Sequence, residues 1–185
     1  MRIIGGELKG KNIYFLKSSI TRPLKDSVKE SIFNIIIHSN ILNINLRNSK
    51  VLDLYSGIGS FGLECISRGA EKITFIEKDK KASDILIKNL INLKLENKAN
   101  VLVDKILTSL KYITEKFELI FLDPPFADSS YLQELQLIKQ KKIYKKNHVV
   151  IIHREKGTKD NFETILKPLI IKKYGRSKII FGKFL

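Results

Sequence analysis

Three glycines form the clearest chemical pattern in the sequence, within VLDLYSGIGSFG at residues 51–62. A short apolar run precedes Gly57, Gly59 and Gly62, and an amphipathic segment follows them, which predicts a strand, a loop and a helix. Glycine permits positive φ in a tight turn and lets a ligand approach the bare backbone. The unpaired N–H groups at the start of the helix point into the same space. The spacing is typical of a nucleoside-cofactor site.

Two acids accompany the glycine loop. Asp53 lies in the strand before it, and Glu77 ends the next predicted strand, twenty residues beyond Gly57. An acid at that distance can accept hydrogen bonds from ribose hydroxyls. A tight strand-to-helix connection that binds nothing would explain one glycine, but it poorly explains three glycines and two acids. The pattern does not say which nucleoside cofactor binds.

A second motif, Asp123-Pro124-Pro125-Phe126, follows a predicted strand at 117–122. Ligands of open α/β sheets bind at the carboxyl ends of strands, so Asp123 should face the same crevice as the glycine loop. The two prolines remove N–H donors and leave carbonyl groups without a competing donor. A carboxylate beside such a carbonyl suits a planar amino group, and Phe126 offers a face on which a base can stack. A simple turn is the alternative, and the position of the motif favours a nucleobase amine site.

The net charge of +15 and pI near 9.8 indicate a polyanionic partner, with nucleic acid first. The excess is mostly lysine in a chain rich in isoleucine and asparagine, a bias that an AT-rich genome also produces.

A content of 43% hydrophobic and 29% charged residues is typical of soluble globular proteins. Cys65 is the only cysteine, which excludes an internal disulfide and fits the cytoplasm. No apolar run approaches the length of a membrane span, so no membrane partner is expected.

Strands and helices alternate from residue 50, which predicts a parallel sheet with helices on both faces. Strands are predicted at 51–55, 72–77, 99–103, 117–122 and 148–153, with helices at 60–68, 80–93, 106–113 and 129–140. A short helix near 162–166 then precedes strands at 169–174 and 178–184. The turn Gly175-Arg176 suits a two-residue hairpin, so at least one terminal strand is antiparallel.

The amino-terminal part is predicted to differ from this alternation. Two short strands, at 2–4 and 11–16, should form a glycine-rich hairpin carrying Arg2, Lys9 and Lys11. A helix over 26–38 should follow, with Asp26 as its N-cap. Its apolar stripe has helical spacing and consists of Val28, Ile32, Phe33, Ile35 and Ile36.

The sequence resembles the RsmD-type methyltransferases, which use S-adenosylmethionine to methylate N2 of a guanine in small-subunit (16S) ribosomal RNA. The resemblance covers nearly the whole chain and rests on MRIIGGELKGKNI, TRPLKDSVKESIFN, DLYSGIGSFGLECISRGA, FIEKD, IFLDPPF and KYGRSKI. It implies an α/β, Rossmann-like class I methyltransferase with a doubly wound, seven-stranded, mostly parallel sheet and an antiparallel terminal hairpin. A short hairpin and helix extension at residues 1–40 would bind RNA and form a lid over the active site. Residues 41–185 would form the methyltransferase domain.

The resemblance also implies roles for individual residues. The methionine part of the cofactor would be surrounded by Asp53, Tyr55, Gly57 and Gly59. Glu77 would bind the ribose and Asp104 the adenine amino group. The catalytic motif would be Asp123, Pro124, Pro125 and Phe126. RNA contacts are expected from Arg2, Lys9, Lys11, Thr21, Arg22 and Arg176. Two residues depart from the family pattern: Lys105 stands where a small residue is commoner, and His153 where many relatives carry an acid.

The expected partner is small-subunit ribosomal RNA or the assembling small subunit, bound by a monomer. No metal is expected, because His38, His148 and His153 are scattered and form no ligand-like cluster. An adenine-N6 methyltransferase remains an alternative, since it uses a similar acceptor motif. An NAD-dependent oxidoreductase also fits the glycine spacing, but it has no use for the second motif. A non-catalytic RNA-binding protein on the same fold is supported by charge alone.

Overall fold

The computed structural model describes residues 1–15, 24–162 and 164–185. Within these residues the chain forms five α-helices and seven strands. In chain order they are α1 (Asp26–His38), β1 (Lys50–Leu54), α2 (Ser60–Ser67), β2 (Lys72–Ile76), α3 (Lys80–Leu93), β3 (Ala99–Leu102), α4 (Ile106–Tyr112), β4 (Phe117–Leu122), α5 (Tyr131–Lys141), β5 (Tyr144–Glu155), β6 (Leu166–Tyr174) and β7 (Ser177–Phe184). The predicted helices over 26–38 and 80–93 and the predicted strand over 117–122 are confirmed to the residue.

The strands form one sheet in the order β3-β2-β1-β4-β5-β7-β6. The first five of these neighbours pair in parallel, while β7 is antiparallel to both β5 and β6. The strand order reverses between β1 and β4, and ligands of open α/β sheets bind at such a reversal. The expected class I methyltransferase sheet, with its antiparallel last strand, is confirmed.

Helices cover both faces of the sheet. Alternate residues of β4 serve two separate cores: Phe121 packs with residues of α1, α2 and α3, while Ile120 packs with residues of α4 and α5. On the first face, the rings of Phe61 and Phe121 stack with centroids 3.8 Å apart. Burial on both faces explains why the central strands are nearly continuous apolar runs.

The amino-terminal hairpin pairs as predicted, but over a shorter length. An antiparallel bridge joins Arg2 and Asn12, and beside it the Ile3 N–H donates to the Lys11 carbonyl (2.9 Å) and the Ile13 N–H to the Met1 carbonyl (2.9 Å), while neither segment forms a full strand in the described residues. Some backbone groups of the hairpin bond to side chains of the main domain. The Ile4 N–H donates to Glu64 Oε2 (2.9 Å), and the Leu8 N–H donates to Ser67 Oγ (2.9 Å).

Two predictions are wrong. Lys25, not Asp26, is the N-cap of α1, and no side chain of the described residues caps the helix; the Asp26 carboxylate pairs with Lys29 Nζ at 3.4 Å. The predicted helix near 162–166 is a turn, in which the N–H groups of Ile165 and Leu166 both donate to the Phe162 carbonyl. β6 then begins at Leu166. Among the described helices, none has the length and apolar character needed to cross a membrane.

Candidate active site

The carboxyl ends of four neighbouring parallel strands lie at one edge of the sheet. Leu54 at the end of β1 is in register with Ile76 of β2 and with Leu122 of β4, and Leu122 is in register with Ile152 of β5. The residues that follow these positions are Glu77, Tyr55, Asp123 and His153. The two motifs, which are distant in the sequence, are therefore adjacent at the point where the strand order reverses.

The glycine loop is braced by Glu77. Its Oε2 accepts the Gly57 N–H (2.8 Å) and its Oε1 accepts the Asp79 N–H (2.8 Å). Gly57 and Gly59 both have positive φ, at +54° and +82°. A Cβ on Gly57 would meet no atom of the described residues within 4 Å, whereas one on Gly59 would collide with Leu86. Gly59 therefore permits close packing of α3.

Asp53 is almost fully buried below this loop, with 1% of its surface exposed. Its Oδ2 accepts the Gly62 N–H (3.0 Å), and its Oδ1 has no hydrogen-bond partner among the described residues. Burial raises the pKa of Asp53 well above its ordinary value, and the carboxylates of Asp123 and Glu77 raise it further. A cation at the free oxygen would stabilise the charged carboxylate. The site therefore fits the cationic methionine part of S-adenosylmethionine.

The segment after β1 carries a further unsatisfied group. The Ser56 hydroxyl is buried and lacks a partner in the described part of the chain. The buried Tyr55 hydroxyl faces the carboxyl group of Glu134 in α5, and burial together with that carboxyl group raises the pKa of Tyr55 well above its ordinary value. Tyr55 also has a φ of +58°, which is uncommon for a residue other than glycine. Buried polar groups are normally paired, and such backbone outliers concentrate at ligand sites. Both observations mark this segment as a binding surface.

Asp104 lies at the outer end of the same edge, after β3. It is exposed, and its Oδ1 accepts the N–H of Lys105 (2.6 Å). It is therefore accessible to a ligand, but it belongs to a less enclosed part of the edge than Asp53.

The Asp123–Phe126 motif is held in place by hydrogen bonds from a side chain of β5. The Arg154 guanidinium donates to the carbonyls of Pro125 (3.1 Å) and Phe126 (3.0 Å). Arg154 is buried and also pairs with Asp160 (3.0 Å). The Pro124 carbonyl accepts no hydrogen bond from the described residues. Arg154 thus occupies the Pro125 and Phe126 carbonyls and leaves the Pro124 carbonyl accessible to an incoming donor.

His153 and Ser177 complete this part of the site. His153 Nδ1 lies 2.8 Å from Asp123 Oδ1, and His153 Nε2 lies 2.9 Å from Ser177 Oγ. Sequence reasoning misses Arg154 and Ser177, and it marks His153 only as a departure from the family pattern. The available signal is that Asp123 and His153 end neighbouring predicted strands.

The predicted RNA-binding residues are distributed over the surface. Arg2, Lys9 and Lys11 are exposed on the amino-terminal hairpin. Arg176 is exposed at the β6–β7 turn, where it pairs with Glu155 (2.7 Å). Thr21 and Arg22 lie outside the described residues.

Two exposed aromatic residues that sequence reasoning misses, Tyr14 and Phe15, follow the hairpin, and Lys88 Nζ lies 4.3 Å from the centroid of the Tyr14 ring. The ring and the lysine together resemble the surfaces on which proteins stack single-stranded nucleic acid.

Comparisons with known proteins agree with this geometry. A family model described as Conserved hypothetical protein 95 matches residues 1–183. Ribosomal RNA small subunit methyltransferase D of Haemophilus influenzae is 35% identical over 176 residues, which are 90% of this chain and 86% of the relative. The protein of the same name from Escherichia coli K12 is 33% identical over 138 residues, or 75% of this chain and 66% of the relative.

Solved structures show the same fold. An Escherichia coli protein described as a candidate methyltransferase superposes with a TM-score of 0.85 at 25% identity, covering 100% of this chain and 97% of that chain. A Haemophilus influenzae protein described as a candidate methylase gives a TM-score of 0.79 at 30% identity, covering 100% and 98%. With the match of the family model over residues 1–183, these likenesses show that the chain belongs to the Conserved hypothetical protein 95 family, the RsmD-type methyltransferases.

Proposed function

We propose that this protein transfers a methyl group from S-adenosylmethionine to the N2 amine of a guanine in small-subunit ribosomal RNA. The observation that carries the proposal is the position of Asp123. Its half-buried carboxylate follows β4, beside the end of β1 that leads into the glycine loop, and with the neighbouring Pro124 carbonyl it would form an acceptor pair. The relatives named ribosomal RNA small subunit methyltransferase D support the choice of RNA.

The cofactor would lie across the ends of β1, β2 and β3. Asp53 would hold its ammonium group, because the free Oδ1 lacks a partner among the described residues. Glu77 would hold the ribose hydroxyls with the acceptor sites that remain on its carboxylate beside the two backbone bonds. Asp104 would hold the adenine amino group. When bound, S-adenosylmethionine supplies an electrophilic methyl group on a sulfonium.

The acceptor half of the reaction depends on Asp123. The lone pair of the guanine N2 amine is delocalised into the ring, so the amine is a poor nucleophile at rest. Asp123 and the Pro124 carbonyl would accept hydrogen bonds from the two N–H groups of the amine. These bonds would favour a pyramidal nitrogen and direct its lone pair at the methyl group. The methylated amine must lose a proton, and the Asp123 carboxylate would receive it. Phe126 would stack on the base.

The RNA must present an unpaired or flipped guanine, because a base within a helix cannot reach this crevice. Residues 1–40 would bind the flanking RNA and cover the site, and residues 41–185 would form the methyltransferase domain. Exposed Arg2, Lys9 and Lys11 support this division. The protein would act as a monomer in the cytoplasm, on ribosomal RNA or on the assembling small subunit.

The proposal is tested by identifying the methylated nucleoside. Purified protein is incubated with methyl-labelled S-adenosylmethionine and either naked small-subunit ribosomal RNA or small subunits that lack the modification. Nucleosides are then analysed by mass spectrometry. We expect N2-methylguanosine with at least one of the two substrates and a greatly reduced yield with Asp123→Ala. N6-methyladenosine as the product, or no transfer to either substrate, would contradict the proposal.

A further inference from the structure

Two hydrogen bonds connect three neighbouring strands below the Asp123–Phe126 motif. Asp123 follows β4, His153 lies in β5 and Ser177 begins β7. The His153 ring contacts both of the others, at 2.8 Å from Asp123 Oδ1 and 2.9 Å from Ser177 Oγ. The His153 side chain is 10% exposed and that of Asp123 is 25% exposed. The histidine is therefore enclosed in the protein, and the aspartate reaches the crevice.

The partners determine the direction of both bonds. An ionised carboxylate only accepts hydrogen bonds, so Nδ1 of the neutral ring carries the proton and donates it to Asp123. Nε2 is then the acceptor for the Ser177 hydroxyl, which holds the ring in this tautomer. If the ring gains a second proton, Nδ1 still donates to Asp123. The bond to the carboxylate is therefore present in both charge states of His153.

This arrangement gives the two carboxylate oxygens of Asp123 different surroundings. Oδ1 is held by His153, and no described residue hydrogen-bonds to Oδ2. The terminal torsion of an aspartate is broad, so a carboxylate without a partner would sample many orientations. With Oδ1 held, Oδ2 keeps one direction at the crevice. Orientation of this kind matters for methyl transfer, because a small misplacement of a catalytic group can strongly reduce the rate.

The same imidazole supports the stacking residue. The rings of Phe126 and His153 meet edge to face, with centroids 5.6 Å apart and an interplanar angle of 82°. One side chain of β5 thus contacts both the carboxylate and the aromatic ring of the motif.

The atom order from Ser177 Oγ through His153 to Asp123 Oδ1 is that of a hydrolase triad. In a triad the serine faces the substrate, whereas here the aspartate lies beside the glycine loop and Ser177 lies at the far end of the chain of bonds. The serine is therefore the orienting group. We propose that His153, itself oriented by Ser177, is a positioning residue that fixes the Asp123 carboxylate for accepting the target amine. This inference rests on the proposed function.

Two substitutions that both introduce a side-chain amide at position 153 test the inference. The amide nitrogen of asparagine can occupy the place of Nδ1, and that of glutamine the place of Nε2. His153→Asn therefore keeps the donor to Asp123, while His153→Gln keeps only the contact with Ser177. In single-turnover methylation of small-subunit RNA, we expect His153→Gln to be about 10- to 100-fold slower than wild type and His153→Asn to stay within about threefold. The affinity for S-adenosylmethionine should not change.

His148 provides a matched control. It is a second buried histidine of β5, and it also makes two hydrogen bonds, with the Lys145 carbonyl (2.8 Å) and the Phe184 N–H (3.0 Å), far from the crevice. His148→Gln should lower the melting temperature and leave the single-turnover rate unchanged. Equal slowing by His153→Asn and His153→Gln would indicate loss of packing alone and would overturn the inference.

A double-mutant cycle separates this inference from the proposed function. If His153 acts through Asp123, adding His153→Gln to Asp123→Ala should not lower the rate further. Independent, multiplicative losses would overturn the positioning role while leaving Asp123 as the acceptor. An Asp123→Ala protein with the wild-type rate would instead contradict the proposed function itself. Labelling of Ser177 by a fluorophosphonate would show a serine nucleophile and would also overturn the inference.

Discussion

The two halves of the sheet edge are stabilised in different ways. In the cofactor half, residues 53–79, carboxylates accept from backbone N–H groups 9 and 20 residues away within one continuous segment, as Asp53 does from Gly62 and Glu77 from Gly57. In the acceptor half, residues 123–126 with His153, Arg154 and Ser177, the contacts come from side chains 24 to 30 residues away in the chain. The cofactor half is a local strand–loop–helix–strand unit, whereas the acceptor half depends on how β4, β5 and β7 pair.

This difference implies that the two halves serve separate functions, cofactor binding and methyl transfer, which substitutions can test. Changes in the cofactor half should weaken cofactor binding, and changes in the acceptor half should slow methyl transfer without weakening cofactor binding. A substitution that alters both quantities equally would show that the two halves are not independent.

The largest effect is expected at Asp123. Its role grows as the amine becomes pyramidal, so it stabilises the transition state more than the bound substrate. Asp123→Ala should reduce the single-turnover rate by about 10²- to 10³-fold. Calorimetry should show the wild-type affinity for S-adenosylmethionine. Asp123→Asn should retain partial activity, because its carbonyl can accept from the amine if His153 adopts the other tautomer. A rate near wild type for Asp123→Ala would show that the motif is only a turn.

Glu77→Ala should weaken cofactor binding and not methyl transfer. Removal of the Glu77 carboxylate would remove the ribose contacts and also the hydrogen bond that braces Gly57. The affinity for S-adenosylmethionine should therefore fall about tenfold or more. At saturating cofactor the single-turnover rate should recover most of its wild-type value. Glu71→Ala, at the exposed opposite end of β2, is the control and should leave the affinity unchanged. Tight binding of NAD but not of S-adenosylmethionine would end the methyltransferase interpretation.

A smaller effect per residue is expected on the hairpin. Neutralising Arg2, Lys9 and Lys11 together should weaken RNA binding and reduce the slope of log K against log salt by about 0.7–0.9 for each phosphate that these side chains neutralise. Binding at several salt concentrations measures this slope. Neutralising the exposed lysines 111, 116 and 146 provides a control of equal charge on another surface. Equal slopes for the two triple variants would remove the hairpin from the RNA surface.

The smallest effect is on stability, at Glu134 in α5. Burial raises its pKa from 4.5 to about 7. The folded protein therefore binds a proton more tightly than the unfolded chain, and stability from this group falls as the pH rises from about 4.5 to about 7. Glu134→Gln should remove this loss and increase the free energy of unfolding at pH 8 by about 1–2 kcal/mol. Urea unfolding at pH 5 and pH 8 measures it, and an equal effect at both values would contradict the assignment.

The same contrast explains how much the sequence predicts. The glycine loop and the helix after it follow local rules, so the sequence predicts their positions and the Glu77 end of β2 within one residue. The contacts of His153 and Ser177 require the register of β4, β5 and β7, which local patterns do not give. The adjacency of Asp123 and the glycine loop is predictable only because parallel strands end at a common edge.

The errors have the same origin. Phe162, Ile165 and Leu166 have the spacing of a helix face, but a short apolar pattern does not distinguish a helix from a turn. All three pack in the core beside α5, with β6 beginning at the last of them. On the hairpin, the predicted antiparallel pairing is present but is limited to the Arg2–Asn12 bridge, and the Ile4 N–H donates to Glu64 of α2 instead of extending the pairing. Core packing at the turn and a tertiary contact at the hairpin therefore limit the expected local structure.

Mass spectrometry of small-subunit ribosomal RNA from a strain that lacks the gene shows whether this protein methylates a guanine. We expect one N2-methylguanosine to disappear, to return with the wild-type gene and to stay absent or strongly reduced with Asp123→Ala. Unchanged N2-methylguanosine, or the loss of N6-methyladenosine in its place, would contradict the assignment of this site to guanine.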